Sequence, residues 1–252
     1  MAAPPPSDNG TIFSGIVCGF HNNITVSFSF IGSGTNNQIH NNPFSFIGCG
    51  NGNNITSNIT NLQCTTIING MGNTASGSYS TIINGQNASD HGRTGWQGFS
   101  TGSFGQIGDQ QVGLSILSGS VSGTNPLILT AGNVNNVYTA PNTTNILNLL
   151  PYSVLRVKGS ILLVDTKTQS VGSWDVDFVI KQGINAAATS IVGTPVITST
   201  AIDTEFSTVT VTVVADTTNG GPNITLTNSA AWTNLAYAEA SVTVTELIIP
   251  AI

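Results

Sequence analysis

Charge is what this chain has least of. Charged residues make up 6% of its 252 positions, against roughly 25% in an ordinary soluble domain. Arg93, Arg156, Lys158, Lys167 and Lys181 are its only basic residues, and with eleven acids the net charge is −6. Such a chain excludes a nucleic-acid partner, which requires clustered Lys and Arg to neutralise phosphates. It excludes an anionic membrane surface for the same reason. No apolar stretch approaches the roughly 18 residues of a membrane span, so no membrane insertion is expected. The opening MAAPPPSDNG has neither a basic n-region nor an apolar h-region, so synthesis without a signal peptide is expected. Cysteine is scarce and odd in number. Cys18, Cys49 and Cys64 cannot all pair within the chain, and no Cys/His spacing suggests zinc. Buried free thiols are expected.

Asn, Thr, Ser and Gly stand in place of charge, and they favour turns and β structure over helix. Ile, Val, Leu and Phe recur throughout at low net charge, which is the reverse of the disorder signature. The first third repeats itself. Anchor glycines Gly19, Gly34, Gly50, Gly70 and Gly85 follow one another at intervals of 15, 16, 20 and 15 residues. Asn22, Asn37, Asn53 and Asn73 stand three residues after the first four. Ile24, Ile39, Ile55 and Ala75 stand five after. In the fifth copy the turn is shorter and Ala88 is expected to take the aliphatic slot early. The long interval carries the insertion SNITNLQ. Each copy reads as a short strand, a turn in which Gly or Asn takes a positive φ, and a second short strand. One copy buries almost nothing alone. Stacked copies align their apolar residues in columns and their backbones in parallel ladders about 4.8 Å apart, with Asn at a fixed slot bonding successive rungs.

The segment TIINGMGNTASGSYSTI, residues 66–82, resembles the head repeat of YadA-like trimeric autotransporter adhesins, and viral and bacteriophage fibre proteins use similar repeats. The resemblance covers residues 11–92. It implies a left-handed β-roll, three copies of which assemble as a homotrimer. No coiled-coil stalk, membrane barrel or secretion signal accompanies the repeats, so a head repeat mounted on a virus particle fits better than a self-exporting adhesin.

From residue 93 the period is lost. Residues 93–110 are rich in Gly and Ser and read as a transition segment. Beyond them, SWDVDFVIK, STVTVTVV and ASVTVTELI alternate with period two. Trp174, Val176, Phe178 and Ile180 share one face of the first. ADTTNGGPNITLT places Asn-Gly between two strand-like runs, a hairpin signal. Strands at intervals of about ten residues predict an antiparallel β-sandwich, jelly-roll-like, over residues 111–252. The best helix candidate, NAAATSI, is short and uncapped. These ordered segments are similar to C-terminal domains of phage tail-fibre and large-virus structural proteins.

Little here looks like chemistry. His21, His40 and His91 fall in turns of the repeats. His21 and His40 are the only candidates for an ion site on a trimer axis. Asp175 and Asp177, two apart on one strand face, have a spacing a glycosidase uses, since Cβ atoms at i and i+2 lie about 6.5–7 Å apart. They share that face with Lys181, and a solvated polar surface is the plainer reading. Residues 11–92 contain Asp90 as their sole acid, so no hydrolase cleft assembles there. No catalytic residue, metal or cofactor is expected, and the chain reads as a non-enzyme. N-x-[ST] sequons stand at Asn9, Asn23, Asn54, Asn58, Asn87, Asn142 and Asn223. Of the aromatics Trp96, Phe99 and Trp232, Trp232 is the best candidate for a receptor contact.

The expectation is an all-β homotrimeric viral fibre or spike on a virion surface. Residues 1–10 attach to the particle, residues 11–92 form a shaft, and residues 111–252 form a head that meets a host glycan or protein. A capsid-decoration protein without a receptor role, a glycan-degrading spike and an ice-binding solenoid are the alternatives.

Overall fold

Isoleucine columns organise the first third. The structure, a computed structural model, describes residues 7–8, 13–56, 64–131 and 140–249. Two compact units divide the chain, residues 1–113 with 249–252 and residues 114–248.

The first unit is a β-solenoid of about five turns. Its strands in chain order are β1 (Ser7–Asp8), β2 (Gly15–Ile16), β3 (Asn23–Ile24), β4 (Phe30–Ile31), β5 (Gln38–His40), β6 (Phe46–Ile47), β7 (Asn54–Thr56), β8 (Thr66–Ile67), β9 (Thr74–Ala75), β10 (Thr81–Gln86) and β11 (Gln97–Thr101). Odd-numbered strands from β1 to β9 form one parallel sheet, and β2, β4, β6, β8, β10 and β11 follow one another in a second. Ile31, Ile47, Ile67 and Ile82 fill one internal column, and Ile24, Ile39, Ile55 and Ala75 the other, all fully buried. At about 1.5–3 kcal/mol for each buried side chain of this size, these columns supply most of the driving force for stacking.

The repeat residues make the corner between the sheets. Gly19, Gly34, Gly50, Gly70 and Gly85 all hold φ between 110° and 135°. A Cβ at any of them would clash with the carbonyl oxygen of the next rung, so the position admits only glycine. Asn22, Asn37, Asn53 and Asn73 are buried beside them and linked. The side-chain oxygen of Asn22 accepts from the Asn37 backbone N–H at 3.0 Å and from its Nδ2 at 3.1 Å. Asn37 passes the same pair to Asn53, both at 3.1 Å, and Asn53 accepts from the Asn73 N–H at 3.1 Å. Each Nδ2 also reaches the carbonyl of the next rung's glycine, at 2.9–3.0 Å. Buried amides are thereby satisfied as the interior requires.

Three expectations are corrected here. Ala88 does not take the aliphatic slot. It stands in the asparagine slot, where its N–H donates to Asn73 Oδ1 at 2.9 Å. Thr74 pairs with Ser89, so the slot after Ala75 falls to Asp90. Asp90 is fully buried and accepts from the N–H groups of Ser76, Gly77 and Gly92 and from the Ser76 and Ser80 hydroxyls. The stack also runs past residue 92. β11 lies within the expected transition segment yet pairs in parallel with β10, Thr81 opposite Gln97. Finally, β1 pairs in parallel with β3, so Ser7 and Asp8 belong to the stack, while the rest of the attachment segment, residues 1–6 and 9–10, lies outside the described residues.

The second unit contains β12 (Gln110–Gly123), of which residues 114–123 belong here, β13 (Leu127–Ile128), β14 (Ser153–Asp165), β15 (Val171–Gln182), β16 (Thr189–Ile202), β17 (Val209–Asp216), β18 (Gly221–Asn228) and β19 (Trp232–Ile248). One sheet has the order β16-β15-β14-β19-β12, and another β13-β18-β17. β14 pairs antiparallel with β15 and β19, β15 with β16, and β17 with β18. Trp174, Val176, Phe178 and Ile180 are buried, as are Val242 and Val244. Asn219 and Gly220 lie in the turn between β17 and β18, with Gly220 at φ 79°. The sole helical pieces among the described residues are two single 3-10 turns, Ala186–Ala188 and Thr204–Phe206.

Candidate functional site

Phe-Ser-Phe-Ile occurs twice, at 28–31 and 44–47, and strand alternation sends its residues to opposite sides. Ser29 and Ile31 face inward, as do Ser45 and Ile47. The serines suit that interior because they bond rung to rung: the Ser29 N–H donates to Ser14 Oγ and the Ser45 N–H to Ser29 Oγ, each at 3.2 Å. The phenylalanines are thereby left outside.

Their rings stack along the solenoid. Phe13 and Phe28 lie 5.7 Å apart, Phe28 and Phe44 5.0 Å, and Phe30 and Phe46 5.9 Å, with interplanar angles of 22°, 6° and 2°. These spacings follow the strand ladder and fall in the favourable range for offset stacks. The outer column is unusual in its backbone. Phe13, Phe28, Phe44, Cys64 and Tyr79 occupy successive rungs and all hold φ between 56° and 60°, a conformation that costs L-residues roughly 1–2 kcal/mol each relative to the right-handed region. Glycine or asparagine would serve the turn better, so bulky aromatics there point to a use for their side chains.

Val17, Ile68, Ile83 and Phe99 extend the same face, all exposed. Taking 150–250 Å² for a whole aromatic side chain, the fractional exposures of these residues with the five phenylalanines and Tyr79 amount to on the order of 900 Å². A monomer's largest apolar patch is roughly 300–600 Å², and a standard interface takes about 800 Å² from each partner. The patch therefore has the size of an interface.

Cys64 stands in this outer column. All three cysteines are exposed, which corrects the expectation of buried thiols. Cys18 and Cys49 lie on rungs separated by Ser33, just before the corner glycines, and their side chains point outward.

On the second unit, Asp175 and Asp177 face outward from β15. Asp177 is held at 3.1 Å by Arg156 Nη2 and at 3.0 Å by Lys158 Nζ. Hydrogen bonds from Arg156 and Lys158 keep its carboxyl below the usual carboxylate range, and the same bond to Asp177 raises Arg156. Among the described residues Asp175 makes no hydrogen bond or ion pair. A basin of about 250 Å³ opens beside them, lined by Lys158, Gly159, Asp175, Val176, Asp177, Val196 and Thr198.

Trp232 opens β19 and is 5% exposed. Its Nε1 donates to the Asn125 carbonyl at 3.0 Å, and Phe206 packs edge-on to it at 6.4 Å. The ring presents no open face, although it borders a cavity of about 100 Å³ with Asp165 and Glu205. Trp96 is fully buried, with the Arg93 guanidinium 4.7 Å from its ring centre. His21 lies on a corner beside Phe20, His40 bonds Thr25 at 2.9 Å and Gln38 at 3.2 Å, and His91 bonds the Gly108 carbonyl at 3.2 Å. The three do not converge, and the described residues contain no cluster of three or more metal-ligating His, Cys, Asp or Glu side chains.

No protein-family model matches this sequence, and no curated protein matches it. Solved structures do. The tailspike protein of Acinetobacter baumannii phage AM24 matches over 90% of this chain and 50% of its own, at 14% identity and a TM-score of 0.27. The tailspike gp49 of Acinetobacter baumannii bacteriophage Fri1, described as a capsular polysaccharide depolymerase, matches over 95% of this chain and 60% of its own, at 9% identity and a TM-score of 0.29. The structural neighbours are phage tailspikes. This chain spans about half the length of those it matches. The description of the second overturns the expectation of a non-enzyme, which rested on the scarcity of carboxylates in the repeats, and that expectation is withdrawn.

Proposed function

We propose that this chain is the subunit of a homotrimeric viral fibre or spike displayed on a virion surface. Its left-handed, YadA-like β-roll is the shaft, and its C-terminal β-sandwich, from about residue 111, is the head that engages glycan or protein on the host. The first residues join the shaft to the particle. The aromatic face carries this reading: about 900 Å² of stacked, outward apolar surface on a chain of 6% charge requires a cover, and other copies of the same face supply one in register. Three heads on one stiff shaft raise avidity without strong binding at any single head. Low charge suits recognition through hydrogen bonds rather than ionic capture.

Sedimentation equilibrium tests the assembly. The expected mass is about threefold that of the 25.9 kDa chain, and the double variant Phe28→Ser/Phe44→Ser is expected to fall to the single-chain mass with its β-rich circular dichroism retained. Wild-type protein sedimenting at 25.9 kDa would refute the trimer.

A further inference from the structure

Charge is scarce everywhere except on one sheet face. Arg156, Lys158 and Lys181, three of the five basic residues, share the outer face of β14 and β15 with Asp175 and Asp177, and Glu239 joins them from β19. Across the four strands one row reads Thr198, Asp175, Ser160, Ser241 in register, and all four residues are exposed. Beside it run Val196, Asp177, Lys158 and Thr243. The pairing of β15 with β16 shifts register on both sides of the stretch from Val196 to Thr198. Such bulges bend a strand and re-aim its side chains, and they gather next to functional sites. The basin of about 250 Å³ lies in the bent stretch.

We propose that this basin is a saccharide subsite that takes a neutral sugar unit of a glycan, with Asp175 accepting hydrogen bonds from its hydroxyls. This rests on the host-glycan form of the reading above and names its site. The charge arrangement selects the ligand. Both nearby cations are already held by Asp177, so among the described residues that line the basin no free positive charge awaits a carboxylate, sulfate or phosphate, and an anionic sugar would meet the bare Asp175. A neutral sugar presents donors to that carboxylate and acceptors to the Ser160, Ser241 and Thr198 hydroxyls. Val196, 62% exposed at the rim, offers an apolar contact to the C–H face of the ring. The flanking rows place further hydroxyls along the sheet, so that a chain of sugars can lie across the strands.

The test uses the full chain on a printed array of neutral, sialylated and uronic-acid-containing oligosaccharides, with solution binding of the neutral hits followed by saturation-transfer NMR. Wild type is expected to bind neutral glycans. Asp175→Asn is expected to weaken that binding at least tenfold, and Lys167→Ala, in the loop after β14, to leave it unchanged. Asp175 has no partner among the described residues, so its substitution spares the fold. A second variant, Ser241→Tyr, fills the lane from a neighbouring strand and is expected to weaken binding too. Release of shorter oligosaccharides by wild type but not by Asp175→Asn also supports the assignment and adds cleavage to it. Neutral-glycan binding unchanged in both variants overturns the site but leaves the host-glycan reading standing. Binding confined to anionic glycans overturns the neutral-sugar assignment. Silence of the wild type across the array overturns the host-glycan reading together with the site.

Discussion

Replacing Asn37 by alanine tests whether the buried amide ladder holds the rungs together. Asn37 both receives and passes on hydrogen bonds. Its Nδ2 donates to Asn22 Oδ1, the Ser33 carbonyl and the Gly50 carbonyl, and its Oδ1 accepts from the N–H and Nδ2 of Asn53. In Asn37→Ala the Gly50 carbonyl keeps the Thr35 N–H and Asn53 Nδ2 keeps the Cys49 and Gly70 carbonyls. The Asn53 backbone N–H keeps nothing. An orphaned buried donor costs about 1–3 kcal/mol, and the amide bonds lost with it about 1 kcal/mol net, for a total of about 3 kcal/mol. In a chain of this length that corresponds to a fall in Tm of roughly 6–12 °C. Thermal melts followed by circular dichroism, with the exposed Thr243→Ala as control, read it directly. Asn37→Asp should be worse, because it turns a buried carboxylate toward the Ser33 and Gly50 carbonyls. If Asn37→Ala melts within about 1 °C of wild type, the ladder contributes nothing and the argument fails.

Other outcomes follow from single positions. Gly50→Ala should prevent soluble folding, because its Cβ would clash with the Gly70 carbonyl, whereas Gly52→Ala, with open space around its Cβ, should cost only about 1 kcal/mol. Comparable expression of the two would refute the close-approach argument. Burial pushes the Asp165 and Asp216 carboxyls up, but hydrogen bonds from Thr168, Lys167 and Asn234 to the one, and from Asn219, Thr218 and Asn223 to the other, outweigh it and hold both below the usual range. Their contribution to stability is therefore complete above about pH 4, where the unfolded carboxyl is ionised, and is lost as pH falls through the lowered folded values. Asp165→Asn should flatten the acid limb of the stability curve, and an unchanged limb would count against it. Thiol titration of native protein should modify Cys18 and Cys49 at once and Cys64 slowly, since Cys64 alone stands in the aromatic column. Equal rates would argue that this face stays open in solution.

The stacking was legible because it is written as constraint. Only glycine tolerates the corner after Cys18 or Cys49, and in the first four rungs a side chain carrying both donor and acceptor fills the slot three residues later, so spacing alone exposed the period. The end of the stack was harder to read. Ala88 and Asp90 exchange the apolar and polar roles of their slots, and β11 carries no anchor glycine in sequence. The aromatic face was missed altogether. Phenylalanine beside isoleucine reads as core, and nothing in Phe-Ser-Phe-Ile says that serine turns inward. A left-handed phenylalanine also runs against residue preference, and the one available signal was that the tetrad recurs a rung apart. On the second unit, alternation placed Asp175 and Asp177 on the outer face. The basin beside them depends on bulges in β16, and bulges leave no mark in a hydropathy pattern.

The interval between Gly50 and Gly70 is five residues longer than the fifteen-residue spacing, yet the strands on either side keep their alignment: Phe46 remains opposite Thr66 and Asn54 opposite Thr74. The sequence between β7 and β8 can thus vary in length without disturbing the register of the strands on either side. A lineage could add rungs by duplicating fifteen-residue units and, independently, alter the stretch inserted between β7 and β8. The number of rungs and the inserted sequence would then evolve as separate traits.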